Sequence, residues 1–133
     1  VFLEHCILRA THFTDHVVQL RQAGVKELHM RMGCPPLVYP CCFLNFSSSR
    51  SSFDLFTRRI IRDLEGTDEF SDEVLKEYST PDTERYNRMV EEMRQRIGLT
   101  SLKFMRLDDL VKAIGLPKEQ LCTHCWDNSS YME

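Results

Sequence analysis

The stretch VFLEHCILRATHF, residues 1–13, decides the predicted fold. Its apolar start, Val1–Leu3, is predicted to be the end of a buried strand, and the polar, irregular residues after it are predicted to form a strand-to-helix loop. Thr14 and Asp15 then supply an N-cap and an early acid for a helix, which Gly24 is predicted to end in a left-handed conformation. This order of elements indicates an α/β fold.

A second strand is predicted over Val25–Met32, where apolar and polar residues roughly alternate. Strand, helix and strand in this order indicate a right-handed βαβ unit with parallel strands. Because two strands cannot bury both faces of a parallel sheet, further strands are expected before Val1, and the chain is expected to be a piece of a longer protein. Residues 1–33 are therefore predicted to form the end of an α/β core.

The chain changes character after Gly33 and is predicted to be mostly helical from there. Prolines favour extended chain up to the cysteine pair at 41 and 42, and Ser47–Ser52 is predicted to be a polar linker or turn. Apolar residues then recur at helical spacing in three groups: Phe53, Phe56, Ile60 and Leu64; Tyr86, Met89, Val90, Met93 and Ile97; and Leu107, Leu110, Val111 and Ile114.

Capping residues predict where these helices begin and end. Starts are predicted at Ser71 and at Thr80–Asp82, and ends are predicted at Gly66 and Gly115. Residues 34–133 are therefore expected to form a helical C-terminal extension that also carries the cysteine ligands discussed below.

Composition and charge exclude several classes of function. The 133 residues leave room for one modest domain, and 17 Lys and Arg against 20 Asp and Glu give a net charge of −3, so the basic excess of a duplex nucleic-acid binder is missing. Arg58, Arg59 and Arg62 form a local basic group, but neighbouring acids favour a solvated helix face. Because the sequence shows neither a membrane-spanning run nor a signal peptide, a cytoplasmic location without a membrane partner is expected.

Six cysteines lie at positions 6, 34, 41, 42, 122 and 125. Cys122 and Cys125 form a C-x-x-C pair, whose spacing suits a metal ion, an iron–sulfur cluster or a redox dithiol. The position of this pair near the C-terminus favours a metal or a cluster, to which the cysteines at 41 and 42 can add thiolates. Cys6 and Cys34 are interpreted as small buried side chains without a role.

The loop over residues 4–13 carries the predicted chemistry. Ligands of open α/β sheets bind at the carboxyl ends of strands, where helix N-termini face them. There the Glu4 carboxylate could hold sugar hydroxyls or Mg²⁺, and the backbone N–H groups of the turn, together with the Thr11 and Thr14 hydroxyls, could bind a phosphate. The alternative is a solvated loop without a ligand.

The residues of this loop resemble a known motif. Glu4–Thr11 reads EHCILRAT, and the type I phosphoribosyltransferases carry at a strand end two acids, a small residue, two aliphatics, Arg, Gly and Thr. Further stretches are similar to amidophosphoribosyltransferases, also called glutamine phosphoribosylpyrophosphate amidotransferases: Gln22–Arg31, Cys34–Cys41, Leu99–Leu110 and Leu121–Trp126. The resemblance spans nearly the whole chain and points to the C-terminal part of the type I phosphoribosyltransferase domain of such an enzyme.

This resemblance implies an activity and partners. Amidophosphoribosyltransferases are glycosyltransferases of purine biosynthesis, which hydrolyse glutamine in an N-terminal domain and pass the ammonia to phosphoribosylpyrophosphate to form phosphoribosylamine. The implied partners are therefore phosphoribosylpyrophosphate, an upstream glutaminase domain and the remaining transferase strands. A homo-oligomeric parent protein is implied as well.

The resemblance also assigns the residues of the loop. The implied substrate-binding residues are Glu4, His5, Arg9, Ala10, Thr11 and His12. Glu4 and His5 correspond to the acidic pair that holds the ribose hydroxyls and the associated Mg²⁺. His5 stands where the second acid is usual, and Ala10 stands where Gly is usual, so a positive φ at Ala10 becomes costly.

The cysteines receive roles from the same resemblance. Cys41, Cys122 and Cys125 match three ligands of the four-iron, four-sulfur (4Fe-4S) cluster of cluster-bearing relatives, and zinc is the alternative. The fourth ligand lies upstream in those relatives, and Cys42 is the nearby substitute here. The altered loop adds a second hypothesis, a catalytically impaired, diverged homologue that acts as a structural or regulatory metal-binding module. A third is a zinc-stapled α/β binding module.

Overall fold

The computed structural model describes residues 1–41, 43 and 51–129. Its strands are β1 (Phe2–Glu4), β2 (His29–Met32) and β3 (Ser101–Phe104). Its α-helices are α1 (Thr11–Gln22), α2 (Phe56–Glu65), α3 (Asp72–Ser79), α4 (Glu84–Ile97), α5 (Leu107–Ile114) and α6 (His124–Asp127). Short 3₁₀ turns lie at Ser52–Asp54 and Lys118–Gln120. Within the described ranges, no helix is long and apolar enough to span a membrane.

The three strands form one parallel sheet in the order β1–β2–β3. Leu3 pairs with Arg31 and Arg31 with Lys103, whereas Met30 pairs with Leu102. Because side chains alternate along a strand, Met30 and Leu102 are buried on one face, and the other three residues lie on the opposite, more open face. A parallel sheet followed by a mostly helical tail confirms the predicted α/β fold class.

β1 differs from the prediction in its burial. Leu3 is 81% exposed and Val1 is 89% exposed, so the expectation of a buried strand over Val1–Leu3 is wrong for the described residues. β1 lies at the edge of the described sheet, and the side chain of Leu3 is on the face opposite to the buried Met30. An apolar composition therefore predicted the strand correctly and its burial incorrectly.

β3 was not predicted, because the chain after Gly33 was expected to contain only helices. The strand is four residues long, and Leu102 is its one fully buried residue, so no alternation stands out in the sequence. It is held at its start by Thr100, whose N–H donates to the Leu28 carbonyl at 2.7 Å, and whose hydroxyl accepts from the Leu28 N–H at 2.9 Å. Pairing with β2, rather than local preference, defines this strand.

α4 lies at the centre of the hydrophobic core. It contacts α1, α2, α3 and β3, and its stripe of Met89, Met93 and Ile97 is at most 2% exposed. Ile60 and Ile61 of α2 are fully buried in the same cluster. Residues three or four positions apart on one helix face produce this stripe, which confirms the apolar pattern predicted for α4. In α2 the predicted Phe56 and Ile60 are buried, whereas Phe53 lies in the 3₁₀ turn before the helix.

Two helices begin at positions other than the predicted ones: the N-cap lies four residues earlier at α1 and three residues later at α4. Thr14 was expected to cap α1, but α1 begins at Thr11, and the Thr14 hydroxyl donates to the Thr11 carbonyl at 2.8 Å inside the helix. Thr80 was expected to cap α4, but the Thr83 hydroxyl accepts from the Tyr86 N–H at 3.1 Å. The N-cap of α1 is Ala10, which offers no side-chain hydrogen bond, whereas α4 is capped by a threonine three residues after the predicted one.

Arg58 does not lie on a solvated helix face, as the local acids had suggested. It is 8% exposed, and its Nε donates to the Val38 carbonyl at 2.6 Å. Its guanidinium lies 5.7 Å from the ring centroid of Tyr39 and 5.9 Å from that of Phe70. Burial lowers the pKa of Arg58, and the side chain connects α2 to the segment that follows β2.

Candidate functional site

The loop between β1 and α1 is held in place by hydrogen bonds from the segment after β2 and from α2. The Gly33 N–H donates to the Glu4 carbonyl at 2.7 Å, and the Phe56 N–H donates to the Leu8 carbonyl at 2.7 Å. Arg59 Nη2 donates to the Arg9 carbonyl at 2.8 Å. The loop is therefore anchored through its backbone, which leaves polar side chains such as Arg9 exposed to solvent.

Ala10 occupies the left-handed region immediately before α1. Its φ is 67°, and its carbonyl accepts hydrogen bonds from the N–H groups of Phe13 at 3.1 Å and Thr14 at 3.3 Å. A residue other than glycine in this region costs roughly 1–2 kcal/mol. The position where the motif usually has Gly thus has the conformation that favours Gly.

A surface pocket of about 620 Å³ opens at the N-terminus of α1. It is lined by Cys6, Leu8, Arg9, Ala10, Thr11, His12 and Phe13. The first turn of α1 contains no acidic residue, so the positive end of the helix dipole is not offset there, and Arg9 adds a further positive charge. The pocket therefore suits an anion.

The structure brings together four of the six residues that the resemblance assigned to substrate. Arg9, Ala10, Thr11 and His12 line the pocket, whereas Glu4 and His5 are not among its lining residues. Glu4 is half-buried at the end of β1, and the next residue, His5, is exposed. The predicted acid position and the pocket are thus adjacent along the loop but distinct.

Cys6 and Cys34 are in contact beside this pocket. The Cys34 side chain lowers the pKa of Cys6 to about 6, although burial alone would raise it. The neighbouring Cys6, together with burial, raises the pKa of Cys34. The sequence analysis assigned these residues no role. The pairing of Glu4 with Met32 indicates their proximity, because Cys6 follows Glu4 by two residues and Cys34 follows Met32 by two residues.

A second pair of thiols joins the segment after β2 to the C-terminal helix. Cys41 is hydrogen-bonded to Cys125, and burial and this contact raise the pKa of Cys125 to about 12. The backbone N–H groups of Val38 and Tyr39 donate to the Cys125 carbonyl at 3.0 and 3.1 Å. Cys122 is exposed and raises the pKa of Cys125 further through its charge, so the three expected ligands lie in one neighbourhood.

The chemistry of this neighbourhood fits thiolate ligation, but the described residues contain no ready site for a single ion. Among them, no group of three or more His, Cys, Asp or Glu side chains is arranged to hold a metal ion. The Trp126 Nε1 is buried without a hydrogen-bond partner in the described part of the chain, and it faces Cys34 outside hydrogen-bonding geometry. Cys42, the expected substitute ligand, lies outside the described residues.

The described residues form a parallel sheet with a pocket at the start of α1, followed by a helical tail, which agrees with the predicted phosphoribosyltransferase-like α/β fold. No family model matches the chain. Individual proteins do match it, and they are named amidophosphoribosyltransferases. That of Methanothermobacter thermautotrophicus is 28% identical over 96% of this chain and 20% of its own length. The chloroplastic enzyme of Glycine max is 31% identical over 100% of this chain and 18% of its own length.

A solved structure shows the same relationship. The glutamine phosphoribosylpyrophosphate amidotransferase of B. subtilis, complexed with ADP and GMP, superimposes with a TM-score of 0.62 at 25% identity. The superposition covers 93% of this chain and 22% of that one. The predicted resemblance to amidophosphoribosyltransferases is therefore confirmed over nearly the whole chain, which spans about a fifth of the length of the curated relatives it matches.

Proposed function

We propose that the chain is the C-terminal part of an amidophosphoribosyltransferase, which forms phosphoribosylamine from phosphoribosylpyrophosphate and glutamine-derived ammonia in de novo purine biosynthesis. The similarity to these enzymes supports the proposal, and the pocket at the start of α1 is the observation that carries it. The proposal includes an upstream glutaminase domain, the remaining transferase strands, a homo-oligomeric parent and a cytoplasmic location. Residues 1–33 would supply the loop, and residues 34–133 the cysteine ligands.

In this proposal the loop positions the sugar phosphate. Backbone N–H groups at the start of α1, the Thr11 hydroxyl and the Arg9 guanidinium hold the 5′-phosphate, and the Glu4 carboxylate holds the ribose hydroxyls. Ribosyl transfer passes through a centre with oxocarbenium character, so the protein acts through positioning and electrostatics. The backbone anchors at Glu4, Leu8 and Arg9 support this role, because they fix the loop before substrate binds.

Mg²⁺ fits only one of its two expected ligands. Glu4 offers a carboxylate oxygen, which Mg²⁺ accepts together with substrate phosphates and water, whereas the imidazole of His5 is a poor ligand for this ion. When bound, the ion would neutralise charge on the pyrophosphate leaving group. The protein's own part is limited to holding the sugar through Glu4 and its phosphate through the turn.

Cys41, Cys122 and Cys125 are proposed to hold a four-iron, four-sulfur cluster, with zinc as the alternative. The contact between Cys41 and Cys125 supports this assignment. The group would supply folding free energy to the C-terminal segment.

A second candidate function is a diverged homologue that keeps the fold and acts as a structural or regulatory metal-binding module. His5 removes one acid from the motif, and the left-handed Ala10 carries the strain that glycine would avoid. These two observations favour a loop that no longer supports turnover, while the thiols of the tail are unaffected.

Calorimetric titration of the full chain with phosphoribosylpyrophosphate and Mg²⁺ separates the two candidates. The first predicts saturable binding by the unaltered chain, which Arg9→Gln weakens and the matched control Arg62→Gln, on the exposed side of α2, leaves unchanged. The second predicts no binding by the unaltered chain and binding by the double variant His5→Asp, Ala10→Gly. If none of these proteins binds, the loop has been misassigned.

A further inference from the structure

Cys6 and Cys34 occupy matched positions at the ends of neighbouring strands. β1 and β2 pair as Leu3 with Arg31 and Glu4 with Met32, so each cysteine follows the last paired residue of its strand by two positions. The Gly33 N–H bond to the Glu4 carbonyl, at 2.7 Å, continues the pairing beyond the strands. Neighbouring strands lie about 4.8 Å apart, which is within the separation that a disulfide bridges.

This register places the Cys6 and Cys34 side chains close together, in agreement with the influence of each on the pKa of the other. Their accessibility differs: Cys6 is half-exposed and lines the pocket at the start of α1, whereas Cys34 is buried. A small molecule that enters the pocket therefore reaches Cys6 first. An accessible cysteine beside a second thiol is the arrangement of a redox-reactive pair.

We propose that Cys6 and Cys34 form a peroxide-reactive dithiol site at the edge of the pocket at the start of α1. The Cys6 sulfur attacks one peroxide oxygen, the O–O bond breaks, and Cys6 becomes a sulfenic acid while one water leaves. The Cys34 sulfur then attacks the Cys6 sulfur, the S–O bond breaks, and a second water carries away the hydroxyl and the thiol proton. The two thiols lose two electrons in total, and hydrogen peroxide is reduced to two waters.

Cys41 and Cys125 form a second pair of neighbouring thiols, which could react with peroxide instead. It differs in its setting, because Cys41 is buried and Cys125 is held by the backbone of Val38 and Tyr39. Cys6, by contrast, lines the pocket at the start of α1. Peroxide is therefore expected to oxidise the pair at Cys6 first.

The test treats the full chain with hydrogen peroxide at equimolar concentration, blocks remaining thiols with N-ethylmaleimide and maps the cysteines by mass spectrometry after proteolysis. We expect a peptide containing Cys6 linked to the peptide containing Cys34, with the loss of two hydrogen atoms. Cys34→Ser should abolish this link and leave a sulfenic acid on Cys6 that dimedone traps.

Two results would overturn the proposal. One is a product in which Cys6 is oxidised while Cys34 is fully alkylated in the unaltered chain. The other is a disulfide between Cys41 and Cys125 that forms while Cys6 stays reduced. If Cys34→Ser does not fold, Cys6→Ser provides the second variant, in which Cys34 should remain reduced at the same peroxide concentration.

Discussion

Cys41 is hydrogen-bonded to Cys125, although one follows the second strand and the other lies in the last helix. This contact brings together the two sequence regions that the metal hypothesis requires. Spacing alone gave the hypothesis only weak support, because a C-x-x-C pair also suits a redox dithiol. The structure therefore makes it possible to test whether cysteines from both regions bind the same metal or cluster.

The C-terminal segment that contains Cys122 and Cys125 is expected to bind iron, and its stability is expected to depend on the bound iron. Protein purified without oxygen should contain iron and sulfide, and Cys122→Ser should lose both and melt at lower temperature, because a lost ligand removes folding free energy. Cys6→Ser is the matched control, since its thiol lies in the other pair. Metal analysis and a melting curve check this. Zinc in place of iron would select the alternative, and an unchanged melting curve for Cys122→Ser would exclude both.

Ala10→Gly is expected to change the free energy of unfolding little, whereas Ala10→Val is expected to lower it. Ala10→Gly removes roughly 1–2 kcal/mol of left-handed strain and loses about 0.8 kcal/mol of methyl burial, so its stability should stay within about 1 kcal/mol of the unaltered chain. Ala10→Val should be at least about 2 kcal/mol less stable, because a β-branched residue is an outlier at φ of 67°. Urea unfolding measures both.

Ala23 serves as the control for this pair of substitutions. It caps the end of α1 at φ of −76°, where valine meets no left-handed strain. Ala23→Val should therefore be far less destabilising than Ala10→Val. Equal losses at the two positions would show that the backbone of the loop is not left-handed at Ala10.

Glu65 is expected to make stability depend on acid pH. Hydrogen bonds from Arg85, at 3.0 Å, and from the Tyr78 hydroxyl, at 2.6 Å, lower the pKa of Glu65. A carboxyl whose pKa falls on folding stabilises the protein above its unfolded pKa, and this contribution disappears as pH falls through the folded value. Glu65→Gln should thus cost about 1.5–3 kcal/mol at neutral pH and progressively less below about pH 4.

Urea unfolding at several pH values measures that difference. Glu119→Gln, at an exposed position, is the control and should change stability by less than about 0.5 kcal/mol throughout. A cost of Glu65→Gln that is constant from neutral to strongly acid pH would contradict the assigned partners.

The core is expected to be sensitive at α4. Met89 is fully buried, so Met89→Ala should cost about 2–5 kcal/mol through lost burial and the cavity that remains. Met105 is 37% exposed, and Met105→Ala should stay within about 0.5 kcal/mol of the unaltered chain. Comparable losses of stability for the two variants would show that α4 does not lie at the centre of the hydrophobic core.

The sequence predicted those parts of the fold that local chemistry decides. Helix ends followed from glycine: Gly66 and Gly115 both adopt the left-handed conformation, with φ of 72° and 79°. Strand β3 could not be predicted, because its four residues become a strand through pairing with β2. The burial of Leu3 depends likewise on what covers the sheet, which no local pattern encodes.

In the candidate site, too, features carried by local sequence could be predicted, whereas features that depend on the folded sheet could not. The cysteines at 41, 122 and 125 and the loop residues were found through the resemblance, and the positive φ at Ala10 follows the usual glycine of the motif. The contact of Cys6 with Cys34 was missed, because it depends on strand register, and register is a property of the folded sheet.

The most direct test of the central claim is a backbone NMR titration of the full chain with phosphoribosylpyrophosphate and Mg²⁺. If the turn before α1 binds the sugar phosphate, the amide signals of Thr11, His12 and Phe13 should shift saturably, and Arg9→Gln should weaken the effect. Unshifted signals in this turn, or shifts confined to another part of the sheet, would contradict the account.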